Sequence, residues 1–237
     1  MPAPSAAAVA RHPHLASALP TGWVRVDMHS HTMWSGDSTT TPDEIAAAVE
    51  DSGIDVLCIT DHNAIKGAID LVGRLSCRVV VGEELRTHAG EIIGLFLTDR
   101  IPVGTHADAA AREIRAQGGI VYIPHPYDPM RRNIAEGTLE SLIDEGLVDA
   151  IEVINAKTSL RSLNERAASI ASARELAAGA GSDAHVPDAV GAAYVEMPEF
   201  DGPLDFLAKL RLGRPVGHHW DDARPWSSRV VPGTTVE

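Results

Sequence analysis

Cysteine is scarce: Cys58 and Cys77 are the only two in 237 residues, and they form no CxxC or other metal-binding spacing. That excludes a thiolate structural zinc and a disulfide framework, and it fits a reducing cytoplasm. Basic residues are outnumbered, 20 Lys and Arg against 33 Asp and Glu, for a formal charge of −13. Sequence-independent binding to long nucleic acid rests on basic side chains neutralising phosphates, so that class of partner is not expected. An anionic substrate stays open, because bound divalent cations invert the charge of a site. No apolar run approaches ~20 residues, so no membrane span is expected. Residues 1–22 lack a basic start followed by a strongly apolar core, and read as a loosely ordered arm rather than a signal peptide. Glycine-rich loops of the Walker or Rossmann kind are absent, and no serine or cysteine sits in a nucleophile setting. Aromatics make up 4% of the chain. Its apolar content is mostly Ala, Val, Ile and Leu, which suits close-packed helices on short aliphatic strands.

What is present is a regular alternation. Between residues 23 and 217, short apolar runs alternate with Ala- and Glu-rich segments, without an internal repeat or linker. "WVRVDMH", "IDVLCITDH", "GGIVYIPHP", "VDAIEVIN" and "AAYVEM" predict strands. "TTTPDEIAAAVEDSG" predicts a helix with Thr before Pro42, acids in its first turn and Gly53 as its stop. "CRVVVGEEL" and "GEIIGLFL", joined by "RTHA", predict a hairpin. "THADAAAREIRAQG" predicts a helix capped by Thr105. From about Pro215 the chain reads as irregular, with 218–237 a tail outside the domain. Strand–helix alternation predicts an α/β fold with parallel pairing and helices outside.

In "VRVDMHSH", alternation along a strand puts Asp27, His29 and His31 on one face. Further polar clusters end other predicted strands: Asp61 and His62 after "VLCIT", Glu83 and Glu84 after "RVVVG", His125 after "IVYIP", Asn155 after "AIEVI", Asp183 and His185 in "GSDAH". A closed or nearly closed barrel gathers those ends on one face more readily than an open sheet. Burying so many imidazoles and carboxylates together is costly unless cations compensate. Histidine with Asp and Glu, and no thiolate, suits Zn, Mn or Fe. One ion takes only ~4–6 ligands, so two or three divalent ions are expected.

In combination and order, "DMHSHTMWSGD", "ITDHN", "GEE", "PHP" and "GSDAH" resemble the PHP family, the polymerase and histidinol phosphatase domain, over residues 23–217. The resemblance implies a distorted (β/α)7, TIM-like barrel with a di- or trinuclear metal centre. It implies that His29 and His31 bind a first metal with Glu84 and Asp183. Glu84 would bridge to a second metal held by His125, and Asp37, His62 and His185 would hold a third. Asp27 would orient a histidine from behind. The chain departs from the family's pattern at one place. Many relatives carry a histidine just before the aliphatic run that follows the Glu strand, where "THAGEIIGLFL" has Glu91. Glu91 is expected as ligand or near neighbour, with His88, a hairpin residue, behind it.

The family's pattern selects Glu84 over Glu83, which is left at the surface or behind the ligands. Asp61 is expected to point away from the metals toward backbone or a histidine. Arg131 and Arg132 are candidates for a forked phosphate clamp, against a solvated loop. Asn155 is a candidate phosphate contact, against strand-end turn chemistry, and Lys66, Arg86 and Lys157 are secondary candidates. The expected activity is hydrolysis of a small phosphomonoester, of the nucleoside monophosphate, sugar phosphate or histidinol phosphate type, by metal-activated water. Asp183, His185 or His125 would assist proton transfer. A phosphodiesterase or 3′-nucleotide hydrolase on the same centre is the next alternative. A C–N hydrolase of the amidohydrolase kind follows, disfavoured by Glu84 in the bridging place and by the Asp–His pairing in "GSDAH". A metal-stabilised module that only binds a partner is the last.

Overall fold

The computed structural model describes residues 3–158, 160–220 and 223–231. Among the described residues, nine strands make one sheet: β1 (Trp23–Ser30), β2 (Val56–Ile59), β3 (Arg78–Thr87), β4 (Gly90–Leu95), β5 (Ile120–Ile123), β6 (Ala150–Asn155), β7 (Ala177–Gly181), β8 (Ala193–Pro198) and β9 (Arg214–Gly217). Their order is β7-β6-β5-β4-β3-β2-β1-β8-β9. The residues after β7 return to β1 through a parallel bridge, Ser30 to Ala184, and the His31 N–H donates to the Ala184 carbonyl at 2.9 Å. The sheet is therefore a nearly closed, TIM-like barrel in a mixed α/β fold. Pairing is parallel for β1–β2, β2–β3, β5–β6 and β6–β7. The hairpin β3–β4, the β4–β5 pair and the pairs that β8 makes with β1 and β9 are antiparallel.

Local chemistry accounts for the elements. Helix α2 (Pro42–Ser52), after the short N-terminal α1 (Ala6–Arg11), begins with a reciprocal capping box between Thr41 and Glu44 and ends at Gly53 in the left-handed region. Such a box satisfies two otherwise orphaned N–H groups. Helices α3 (Lys66–Leu71), α4 (Ala107–Ala116), α5 (Glu136–Asp144), α6 (Arg161–Ala173) and α7 (Gly202–Leu210) follow. The cap expected at Thr105 is not made. His106 is the N-cap of α4, and the Thr105 hydroxyl donates instead to the Pro102 carbonyl at 2.6 Å. Val26, Met28, Cys58, Ile93, Tyr122 and Val195 share one buried cluster, and α4, α5 and α6 close a second against β4, β5 and β6. Burial of each such side chain stabilises by roughly 1.5–3 kcal/mol.

The N-terminal arm, expected to be loosely ordered, is docked. Ala8 and Leu15 are buried with Ile45, Ala48 and Val49 of α2. The His12 ring is also fully buried, and its Nε2 donates to the Asp188 carbonyl at 2.8 Å. Burial, with Arg11 and His218 adding like charge against the pull of Asp188, pushes His12 from 6.5 down to about 4. A base whose folded pKa is depressed favours unfolding as pH falls through the window between the two values. His14 is likewise pushed by burial to about 4, so chemical denaturation should show a loss between pH 7 and pH 4 that is smaller in His12→Asn, which cannot protonate at this position, by on the order of 2 kcal/mol. An equal loss in both proteins would refute the assignment to His12.

Candidate metal centre

The ends of β1, β2, β3, β5 and β7 converge on one cavity of about 400 Å³, lined by Asp37, His62, Glu84, Glu91, His125, Asp183 and His185 together with Arg86, Arg131 and Lys157. Glu84 lies at its middle. Its Oε2 is 3.3 Å from His29 Nε2, 3.2 Å from His31 Nε2 and 3.2 Å from His62 Nδ1, and its Oε1 is 3.1 Å from His125 Nε2. Asp183 Oδ1 completes the first group, 3.9 Å from His29 Nε2 and 3.6 Å from His31 Nε2. Glu91 joins the second, 3.8 Å from His62 Nδ1 and 3.9 Å from His125 Nε2. Asp37 Oδ2 reaches His62 Nε2 at 3.1 Å and His185 Nε2 at 3.4 Å in a third.

These spacings suit divalent ions. With bonds of about 2 Å, a tetrahedral ion holds its donors about 3.3 Å apart, and the distances around Glu84 lie near that. His29 Nε2 also sits 3.0 Å from His31 Nε2, while His29 Nδ1 donates to Glu152 Oε1 at 3.1 Å. In the neutral ring the Nε2 facing His31 is then a bare lone pair, which a cation would engage. His62 Nδ1 and Asp37 Oδ1 are buried without a hydrogen-bond partner. Among the described residues, four sets of three or more donor atoms lie within 4.8 Å of one another: His31, Asp37, His62 and His185; His29, His31 and Glu84; His29, His125 and Asp183; His62, Glu84 and Glu91.

Charge is balanced inside the cluster: burial works against the charged forms of His29, His62 and His125, but the carboxylates around them raise all three, Glu152 and then Glu84 at His29, and Glu84 foremost at the other two. Burial works against the Glu84 carboxylate, but the imidazoles of His62, His29 and His125 outweigh it and hold its pKa well below the usual range. Burial lowers His31, and His185 and His62 lower it further, so it is a neutral donor. Asp183 is held ionised against burial by Lys157 and Arg131. Two members carry backbone in the left-handed region, His125 at φ 26° and Asp183 at φ 50°. Strain of that kind gathers where surrounding structure fixes a functional geometry. Close approach matters at Gly181, where a Cβ would stand 2.3 Å from His29 Cβ.

Comparison with known proteins follows this geometry. The PHP domain model matches residues 27–117 and the PHP-associated model matches residues 161–215. An uncharacterized protein of Methanocaldococcus jannaschii is 32% identical over 198 residues, 80% of this chain and 80% of that one. The chain belongs to the PHP family. A two-domain protein from Bacteroides vulgatus, described as containing a predicted PHP-like metal-dependent phosphoesterase, superposes with a TM-score of 0.68 at 21% identity, over 85% of this chain and 68% of that chain. The lesion-specific endonuclease Q of Pyrococcus furiosus superposes with a TM-score of 0.58 at 12% identity, over 80% of this chain and 55% of that chain. At these identities the two likenesses speak to the fold.

The remaining residues singled out in the sequence fall partly inside the cavity and partly away from it. Asp27 does not touch a histidine ring. Its carboxylate accepts the backbone N–H groups of Ser182 at 2.9 Å and of His29 and Gly191 at 3.3 Å. The carboxylate behind the His29 ring is Glu152, which the sequence reading missed. Asn155 does not face the cavity as a phosphate contact. It is fully buried, and its Nδ2 donates to Glu152 Oε2 at 3.0 Å and to Asp183 Oδ2 at 3.2 Å. Asp61 accepts the backbone N–H and hydroxyl of Thr32, both at 2.6 Å. Glu83 is buried on the outer side of β3, where it accepts the Ile101 N–H at 2.9 Å, and burial raises it to about 7. His88 is outside the centre, its ring tilted against that of His106 with centroids 5.0 Å apart. Arg131 enters the cavity with Nη2 3.6 Å from Asp183 Oδ2. Arg132 lies at the exposed rim and offers its carbonyl to the Glu91 N–H at 2.8 Å. Lys66 lies outside the cavity lining, whereas Lys157 reaches Asp183 Oδ1 at 3.3 Å and His185 Nδ1 at 3.0 Å. Among the described residues, no helix is long and apolar enough to cross a membrane.

Proposed function

We propose that this PHP protein hydrolyses a small phosphomonoester with two or three divalent ions, Mn, Fe or Zn, held at the Glu84-centred cluster. The observation that carries this reading is the juxtaposition of that cluster with a cationic wall, Arg131 and Lys157 on the Asp183 side and Arg86 on the Glu91 side. His29, His31, Glu84 and Asp183 would hold one ion. Glu84, Glu91, His125 and His62 would hold a second, and Asp37, His62, His185 and His31 offer a third place. Such ions neutralise phosphate oxygens and make water a nucleophile near neutral pH.

The chain's own groups orient the substrate. Arg131 and Lys157 bind the phosphate oxygens, with the guanidinium giving the forked geometry. Water oxygen bonds to phosphorus, the ester P–O bond breaks, and the alcohol oxygen takes up a proton. His185 faces the cavity and is positioned to supply that proton in a two-ion enzyme. In a three-ion enzyme it serves as a ligand. The acidity of the chain favours a small substrate over long nucleic acid.

Elemental mass spectrometry of tag-free protein, followed by phosphate-release assays on nucleoside monophosphates, sugar phosphates and histidinol phosphate, tests this reading. Two or three ions per chain and turnover of monoesters above bis(p-nitrophenyl) phosphate and 3′-ended oligonucleotides are expected. Preference for the diester or oligonucleotide moves the chemistry to phosphodiester hydrolysis on the same centre. Absence of ions after anaerobic loading would overturn it.

A further inference from the structure

Asn155 ends β6 fully buried, and its side-chain amide uses every hydrogen-bonding place it has. Oδ1 accepts the backbone N–H groups of Lys157 at 2.8 Å and Thr158 at 3.1 Å. Nδ2 donates to Glu152 Oε2 at 3.0 Å and to Asp183 Oδ2 at 3.2 Å. An amide has two acceptor and two donor places, so none is spare. The partners also fix which end is which. Turned over, the NH2 would face two N–H donors and the oxygen would face two carboxylates, and all four bonds would be lost. The backbone is fastened separately. The Asn155 N–H donates to Asn164 Oδ1 and the Asn155 carbonyl accepts from Asn164 Nδ2, both at 3.3 Å, from helix α6. The Thr158 hydroxyl donates to Asp128 Oδ2 at 3.1 Å, which secures the turn from the other side.

We propose that Asn155 is a positioning residue of the metal centre: by holding Asp183 Oδ2 it turns that carboxylate so that Oδ1 faces the His29 and His31 donors. This rests on the metal-binding reading of the cluster. The two oxygens of Asp183 have different surroundings. Oδ1 lies 3.9 Å from His29 Nε2 and 3.6 Å from His31 Nε2, with Lys157 Nζ and His185 Nδ1 each at 3.3 Å. Oδ2 has Asn155 at 3.2 Å and, farther out, Arg131 Nη2 at 3.6 Å. Without the amide, the charges of Lys157 and Arg131 are left to set the rotation of the carboxylate, and an oxygen turned toward them is lost to an ion between the histidines. The same Nδ2 reaches Glu152, whose other oxygen meets His29 Nδ1 at 3.1 Å. One neutral donor thus secures the far oxygens of two carboxylates whose near oxygens address His29 from its two ring nitrogens. An amide suits that place because it puts N–H groups between two buried anions without adding charge. Glu152 Oε2 keeps a second donor, the His125 N–H at 2.8 Å, so loss of the amide falls mainly on Asp183.

The test compares wild type with Asn155→Asp and Asn155→Ser by titration with Co(II), followed through its visible absorption, and by thermal unfolding of the metal-free proteins. Both variants keep an oxygen for the Lys157 and Thr158 N–H groups, both lack the NH2, and Ser adds no charge. The ion that uses Asp183 should bind about 10–100-fold more weakly in both variants, with altered absorption bands, while the ion on the His125 side stays within about threefold of wild type. A merely structural asparagine would shift the unfolding and leave Co(II) affinity and bands alone. Unchanged affinity and bands in Asn155→Ser would therefore overturn the positioning role and leave the metal centre standing. Equal weakening of every titration step would overturn it as well, since that marks a general loss of structure. A wild type that takes up no Co(II) would overturn the metal reading itself and this role with it. If both variants unfold early, nuclear magnetic resonance of the wild type decides. The Asn155 side-chain amide signals should move on loading with Zn(II), and signals that stay in place overturn the proposal.

Discussion

Glu84→Ala should lose nearly all of its bound metal and about a thousand-fold or more in phosphate release, while staying folded. Outer partners of metal ligands already account for roughly 10–100-fold in metal affinity or activity, and Glu84 stands nearer the centre than any of those. Its two oxygens face different donor groups, Oε2 toward His29, His31 and His62 and Oε1 toward His125. Removing it therefore opens two of the proposed sites together. His29→Ala/His31→Ala should approach the same result from the opposite side. Glu91→Gln should do less, because Glu91 stands only at the edge of the second group, 3.8 and 3.9 Å from His62 and His125. Its metal content should fall by no more than one ion per chain. Elemental analysis of the three variants beside wild type checks the set. Full metal retention in Glu84→Ala would refute the bridging role, and an equal collapse in Glu91→Gln would make Glu91 a principal ligand.

Strand-end chemistry made much of this centre readable from the chain. His29, His31, His62, Glu84 and His125 each follow a short aliphatic run closely, Asp183 and His185 follow a short Ala and Gly segment, and the barrel brings such ends together. The hairpin β3–β4 was equally plain, because only a short polar stretch separates two aliphatic runs, and the structure narrows the turn to His88 and Ala89. Glu152 was not readable. Its partner His29 is 123 residues away, and a glutamate in "AIEVIN" carries no local sign of the ring it will meet. Asn155 was misdirected by the same strand. The pairing of β6 with β7 shifts register between Glu152 and Ile154, and that irregularity lets Asn155 meet Glu152 when strict alternation separates them. The segment 223–231, expected as part of a tail outside the domain, lines the cavity with Arg224, Trp226, Ser228 and Arg229. It has no periodicity, so that position depends on tertiary contacts alone. The docked N-terminal arm is similar. Ala8 and Leu15 are isolated apolar residues in a Pro- and Ala-rich stretch, and only the surface of α2 gives them somewhere to bury.

Asp27→Ala should destabilise the fold by about 3–5 kcal/mol, the cost typical of removing one side of a buried charged contact, and Glu152→Gln should not. The two carboxylates look alike in sequence and both meet His29, Asp27 at its backbone N–H and Glu152 at its ring, but they do different work. Asp27 is fully buried and accepts backbone N–H groups and the Ser182 side chain, tying β1 to Ser182 beyond β7 and to Gly191 before β8. Those contacts sit where the barrel closes, and deleting the carboxylate leaves buried N–H groups without acceptors. Burial raises its pKa from 3.8 to about 6, against the pull of the Ser182, His29 and Gly191 donors. A carboxyl with a raised folded pKa contributes most stability below its unfolded value and loses it as pH rises through about 6. The Asp27→Ala penalty should accordingly be larger at pH 4 than at pH 8, opposite in sign to the acid loss assigned to His12. Glu152 instead holds the His29 ring through Nδ1. Glu152→Gln keeps an oxygen there and removes the charge, so metal affinity should fall roughly 10–100-fold with little change in the denaturation midpoint. Denaturant titration at the two pH values, paired with metal titration, separates the roles. A destabilised Glu152→Gln with unaltered metal affinity, or an Asp27→Ala protein as stable as wild type that loses metal, would exchange the two assignments. Closure of the barrel and orientation of its first histidine would then rest on the opposite carboxylates.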